Sequence, residues 1–201
     1  MTQLSAFLQE VRPQLPSATL MAVLRAARKT VRGFCRATKA YEMDFTDADY
    51  TLDSDALVAT FTLPTDTEVY VPLFVKHDGA EVRLSGPKDQ NIHTQGRQSC
   101  YVVPPASLQF ATAVTGELTG KLLLIPTFDA AEIPTSMFER HYEVLVEGIL
   151  ANLFLMHGTT WFDPKLAELH MSLYGQGIEI AADEVAGRNA YQSSTTAYGG
   201  L

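Results

Sequence analysis

The feature that most limits how this chain can fold is a change in apolar spacing that happens twice. Between residues 17 and 40, Leu20, Leu24, Ala27, Val31, Phe34, Cys35 and Thr38 recur every three or four positions, the spacing of one helix face. Between residues 41 and 127 the spacing shortens to the alternation of strands. From residue 134 to 187 the helical spacing returns. This order predicts an α+β chain: a bundle of three long helices with a β-rich insertion between helices one and two. The insertion reads as a small antiparallel sheet, a sandwich or an open barrel. Residues 1–40 and 128–187 would form the helical domain, 41–127 the insertion, and 188–201 an extended C-terminal arm.

Local signals refine the elements. A short helix is expected over residues 4–11, ended by Pro13 and Pro16. Ser17 reads as the N-cap of the first long helix, and Gly33 inside it costs about 1 kcal/mol against alanine. Strands are expected over residues 56–63, 68–75, 99–104, 107–114 and 120–127, with Pro72, Pro104 and Pro105 at edges or ends. The second long helix starts near Pro134, with Ser136 and Glu139 at capping-box spacing, and runs to about Met156. The third opens at Asp163-Pro164, turns Leu166, Leu169, Leu173, Gly177, Ile180 and Ala181 inward, and ends near Gly187.

Between these last two helices lies HGTTWFDP, with the single tryptophan, a histidine and an aspartate close together. It reads as a hinge. Gly158 closes one helix, Asp163 and Pro164 open the next, and Trp161 and Phe162 pack across the corner.

Charge is unevenly placed. Residues 1–41 carry seven basic groups against Glu10 alone, while residues 42–201 carry eight basic and 22 acidic groups. The basic groups Arg25, Arg28, Lys29, Arg32 and Arg36 form a stripe on the first long helix, and Glu139, Glu143 and Glu147 an acidic stripe on the second. These are candidates for charge pairing between subunits. The basic stripe lacks the interleaved aromatics or the motif of a nucleic-acid reader.

The sequence offers little chemistry. The five histidines show no metal-ligand spacing, and no cysteine pair has C-x₂-C spacing. There is no nucleophile elbow, P-loop or dinucleotide fingerprint. Cys35 and Cys100 read as free buried thiols of a reducing compartment. No apolar run is long enough to span a membrane, and no signal peptide is expected. The expectation is of a protein that is not an enzyme and has no metal or cofactor.

The first long helix, with Leu24, Arg25, Ala27, Phe34, Cys35, Arg36 and Thr38, resembles the opening helix of the head-to-tail adaptor (connector) family of tailed bacteriophages. Residues 133–188, with the aromatic-x-Asp-Pro start of the last helix, look like that family's paired helices. The β-rich insertion and the tail bearing Tyr191 and Tyr198 are similar in kind. The resemblance implies a structural virion protein, assembled in the host cytoplasm. It would form a ring of about twelve copies joining the portal to the next tail or nozzle component, with DNA passing through the lumen unread. It also implies a portal-docking arm holding Arg188, Asn189, Tyr191, Gln192, Tyr198 and Leu201. The alternatives are another tail-completion or terminator ring protein, or a ligand-binding β domain on an oligomerising helical base.

Overall fold

The computed structural model describes residues 1–85 and 98–195, apart from the side chains of residues 47 and 188–195. The chain divides into two compact units, Met1–Ala40 with Phe128–Leu201, and Tyr41–Thr127. The described architecture is α+β and strand-rich, with four helices and three sheets. It corrects the expected bundle of three long helices with an inserted sheet. The first helix is a single short turn, the third is broken within its length, and a strand pair lies inside the helical unit. These departures involve two-residue strands and one backbone break, too short to leave a period in the sequence.

In the first unit, β1 (Thr2–Gln3) pairs antiparallel with β11 (Glu132–Ile133), a contact some 130 residues apart in sequence. A 3₁₀ turn, Leu4–Phe7, leads into α1 (Leu8–Val11). Leu4, Phe7 and Val11 are fully buried, and the Phe7 ring lies 5.1 Å from Phe138 and 5.9 Å from Tyr142.

The α2 helix (Leu20–Thr38) is capped by Thr19, whose hydroxyl accepts from the Ala22 amide at 3.3 Å, so Thr19 takes the place expected of Ser17. Lys39 ends it in the left-handed conformation, φ 55°, its amide bonded to the Cys35 carbonyl. The α3 helix (Thr135–Phe154) starts after Pro134 with no side-chain cap, so the Ser136–Glu139 capping box does not form. Its backbone leaves helical geometry at the buried His141 (φ −120°, ψ 19°). The α4 helix (Pro164–Thr195) opens as expected, with the Asp163 carboxylate accepting from the Lys165 and Leu166 amides at 3.0 and 3.1 Å. It does not end near Gly187.

The α2, α3 and α4 helices pack on one another at their small residues. A methyl group added to Gly148 would stand 2.5 Å from Thr30 Cγ2 and 2.8 Å from the Tyr174 ring. One added to Gly177 would stand 2.5 Å from Val144. Asn152 donates to the Thr30 hydroxyl at 3.1 Å, and Phe34 meets the His141 ring at 4.9 Å.

The second unit holds two sheets. One runs β2 (Glu42–Phe45), β10 (Leu118–Pro126), β5 (Thr67–His77), β6 (Ala80–Glu81). The other runs β3 (Tyr50–Leu52), β4 (Val58–Phe61), β9 (Ser107–Phe110), β8 (Ser99–Val103), β7 (Arg83–Leu84). The β7–β8 pair is parallel and the other pairs are antiparallel. Both sheets contribute to one apolar core: Phe45, Leu122 and Leu124 from the first, Phe61, Leu108 and Phe110 from the second. The Phe45 and Phe61 rings meet edge-on at 4.9 Å. Pro72 sits within β5 opposite Leu122, beyond the reach of β6, so its missing amide costs no ladder bond on that side.

Candidate functional site

The site residues expected from the sequence all belong to the helical unit. On α2, Arg25, Lys29 and Arg36 are exposed. Arg28 and Arg32 turn instead toward the chain that re-enters this unit. Arg28 donates to the carbonyls of Ala130 (2.8 Å) and Asp129 (3.1 Å). Arg32 is only 5% exposed, its guanidinium 3.7 Å from the centre of the Phe128 ring. These two therefore hold the 128–130 segment against α2 and are not simply free interface charges. Phe128 itself is 76% exposed and lines, with the basic side chains, an open cleft of about 520 Å³.

Of the acidic stripe on α3, Glu139 and Glu143 are exposed. Glu147 is not available in the same way, because it bonds His170 Nδ1 at 2.6 Å inside the unit. Met137 meets Cys35, and Gly148 and Asn152 meet Thr30, so these residues mark the side of α3 that faces α2. Glu139 lies two residues from Met137 and Glu143 five from Gly148, about 200° and 140° round the helix at 100° per residue. Both carboxylates thus point away from α2.

The same geometry applies to α2. Arg25, Lys29 and Arg36 fall five, one and six residues from Thr30, about 100–140° round the helix from its contact with α3. One compact unit carries a basic face on the outside of α2 and acidic groups on the far side of α3.

The α4 face departs from expectation. Ala167, Tyr174 and Ala181 are buried, whereas Leu166, Leu169, Leu173 and Ile180 are exposed, Ile180 to 64%. Only Gly177 and Ala181 of the six expected inward residues lie inside. The sequence signal for the inward face was the run of small residues at 167, 177 and 181, which the larger leucines masked.

At the hinge, Gly158 holds φ 78°, the Thr159 hydroxyl bonds the Met156 carbonyl at 2.8 Å, and the Asp163 amide bonds the Phe154 carbonyl at 3.0 Å. Pro164 then begins α4. Phe162 packs across the corner on His157, ring centres 4.4 Å apart. The Trp161 indole nitrogen is buried without a hydrogen-bond partner. The corner is built from helix-terminal contacts and aligns no nucleophile with a base.

Of the expected docking arm, Arg188, Asn189, Tyr191 and Gln192 fall in the last turns of α4, so this part is helical and not extended. Tyr198 and Leu201 lie outside the described residues.

Among the described residues, no group of three or more histidine, cysteine, aspartate or glutamate side chains could hold a metal ion. Burial pushes the Cys35 and Cys100 thiols up to about 12, which keeps them protonated and unreactive at neutral pH. Burial first, and the nearby Cys35 second, raise the Tyr174 phenol as well. No helix among these residues is long and apolar enough to cross a membrane. No family model matches the chain, and no curated protein matches it.

Proposed function

We propose that this chain is a structural virion protein, a ring-forming adaptor that joins a capsid portal to a phage tail and lets DNA pass through its centre. The observation that carries the proposal is the placement of unlike charges on two sides of one unit, Arg25 and Lys29 outside α2, Glu139 and Glu143 beyond α3. A head-to-tail ring needs two different, complementary patches on each copy, because each subunit meets its neighbours through different surfaces. Opposite charge on those patches favours the correct register and opposes self-pairing of either patch. The resemblance of the first and last helices to the adaptor family supplies the choice of ring.

In this reading the chain performs no reaction. It has no cofactor, and its partners are itself, in about twelve copies, the portal, the next tail component and the DNA in the lumen. The C-terminal segment from Arg188 onward, helical to Thr195, docks on the portal.

The test is electron microscopy of the chain mixed with portal rings, alone and after deletion of residues 188–201. The expected result is a second ring seated on the portal, lost on deletion. Portals that remain bare with the full chain would sink the proposal, and a deleted chain that still seats would remove the docking role of the segment.

A further inference from the structure

The exposed row on α4 has a regular spacing. Leu166, Leu169, Leu173, Gln176 and Ile180 are separated by three, four, three and four residues, the alternation that keeps one seam facing a partner helix. The four apolar members are each more than a third exposed. Relative to Tyr174, which bonds α2, they lie about 80–140° round the helix, past the α3 contacts of His170 and Gly177. The seam therefore lies on the same side of the unit as Glu139 and Glu143, away from α2. Its open border is acidic on balance, with Glu168, Glu179 and Asp183 exposed against the single base Lys165.

We infer that this seam is the docking site for the outer face of α2 on a second copy of the chain. The spacing selects a helix as the occupant. Charge selects which helix. A symmetric α4–α4 contact would bring Glu168, Glu179 and Asp183 with only Lys165 against their own copies, a net like-charge contact, whereas α2 offers Arg25 and Lys29. The same face of α2 also offers apolar surface: Met21 is 68% exposed near its start, Phe128 is exposed beside Arg32, and the arginine and lysine stems can lie across leucines with their charges in water. After one such contact, one copy still presents a free α2 face and the other a free α4 seam, so the contact repeats into a ring or filament. The inference rests on the ring proposal for the choice of a second copy over another helix-bearing partner.

Two measurements test it. The photocrosslinking residue p-benzoylphenylalanine replaces Leu169, and the chain is irradiated at about 1 mM with an isotope-labelled copy, enough to populate even millimolar contacts. Crosslinks between copies are expected in the peptides covering residues 20–36 and 128. Crosslinks to α4, or none between copies, overturn the inference. In sedimentation, the pair L169D/L173D and the pair R25E/K29E are each expected to be monomeric alone. Mixed, they should form a one-to-one dimer, because each keeps the face that the other lacks. A monomeric mixture overturns the inference. Portal-seated rings whose crosslinks fall elsewhere would overturn this contact and leave the adaptor role. Crosslinks from α4 to α2 without portal binding would do the reverse.

Discussion

The Tyr174 hydroxyl of α4 donates to the main-chain carbonyl of Thr30 in the middle of α2, at 2.9 Å. The ring crosses α3 at Gly148, the one position where no side chain blocks it. Three helices are thus fixed by one phenol. Tyr174→Phe keeps the packing and removes one neutral hydrogen bond, so it should cost about 1 kcal/mol. Urea denaturation with an unchanged m-value checks this.

Gly148→Ala puts a methyl group 2.5 Å from Thr30 Cγ2 and 2.8 Å from the Tyr174 ring, so these hydrogen-bonded side chains must shift to admit it. The expected loss is about 1–3 kcal/mol, the range for overpacking a tight core. Gly175→Ala, on the same helix as Tyr174 and with nothing within 4 Å of the new methyl, should instead stabilise by roughly 0.5–1 kcal/mol. Thermal melts of both variants should move in opposite directions.

The two thiols make stability fall in alkali. Each is raised from 9.0 to about 12 in the folded chain, so between these values the unfolded chain ionises and the folded chain does not. The unfolded state then holds fewer protons, and stability present below pH 9 declines toward pH 12, on the order of 1 kcal/mol per pH unit per thiol. Replacing both with alanine should flatten the decline relative to the parent, whatever it does to stability at pH 7. Native chain should also resist a thiol reagent at pH 8 and react fully in denaturant.

Asp163 accepts two amides at the start of α4, so Asp163→Ala should cost about 1 kcal/mol, while Asp163→Asn should recover much of it. Chemical denaturation of the three proteins at one pH gives the comparison.

If copies meet through Arg25 and Lys29 on one side and acidic groups on the other, association weakens as salt rises from about 0.05 to 0.5 M, because the screening length shrinks from about 14 to 4 Å. Light scattering across that series tests it. Association that strengthens with salt would point to an interface governed by apolar burial alone.

The sequence by itself determined what depends on near neighbours. Asp163-Pro164 opens a helix because a carboxylate before a proline satisfies the first free amides wherever it occurs. The alternating run at Ser107–Phe110 is a strand because one face of it can be buried. The tertiary structure alone decided which surfaces meet. Thr19 and not Ser17 caps α2, and the Ser17 hydroxyl stands 3.5 Å from Thr160 across the unit. Arg28 and Arg32 are drawn to Asp129, Ala130 and Phe128, about a hundred residues away, which no local pattern announces. Above all, α4 turns Ala167, Tyr174, Gly177 and Ala181 inward and leaves its leucines outside. Apolar spacing ranks residues by their affinity for any core, but a helix seated this close to Val144 and Thr30 admits only what fits. The space between helices, not hydrophobicity, chose the inner face of α4 and left its leucines on the outside.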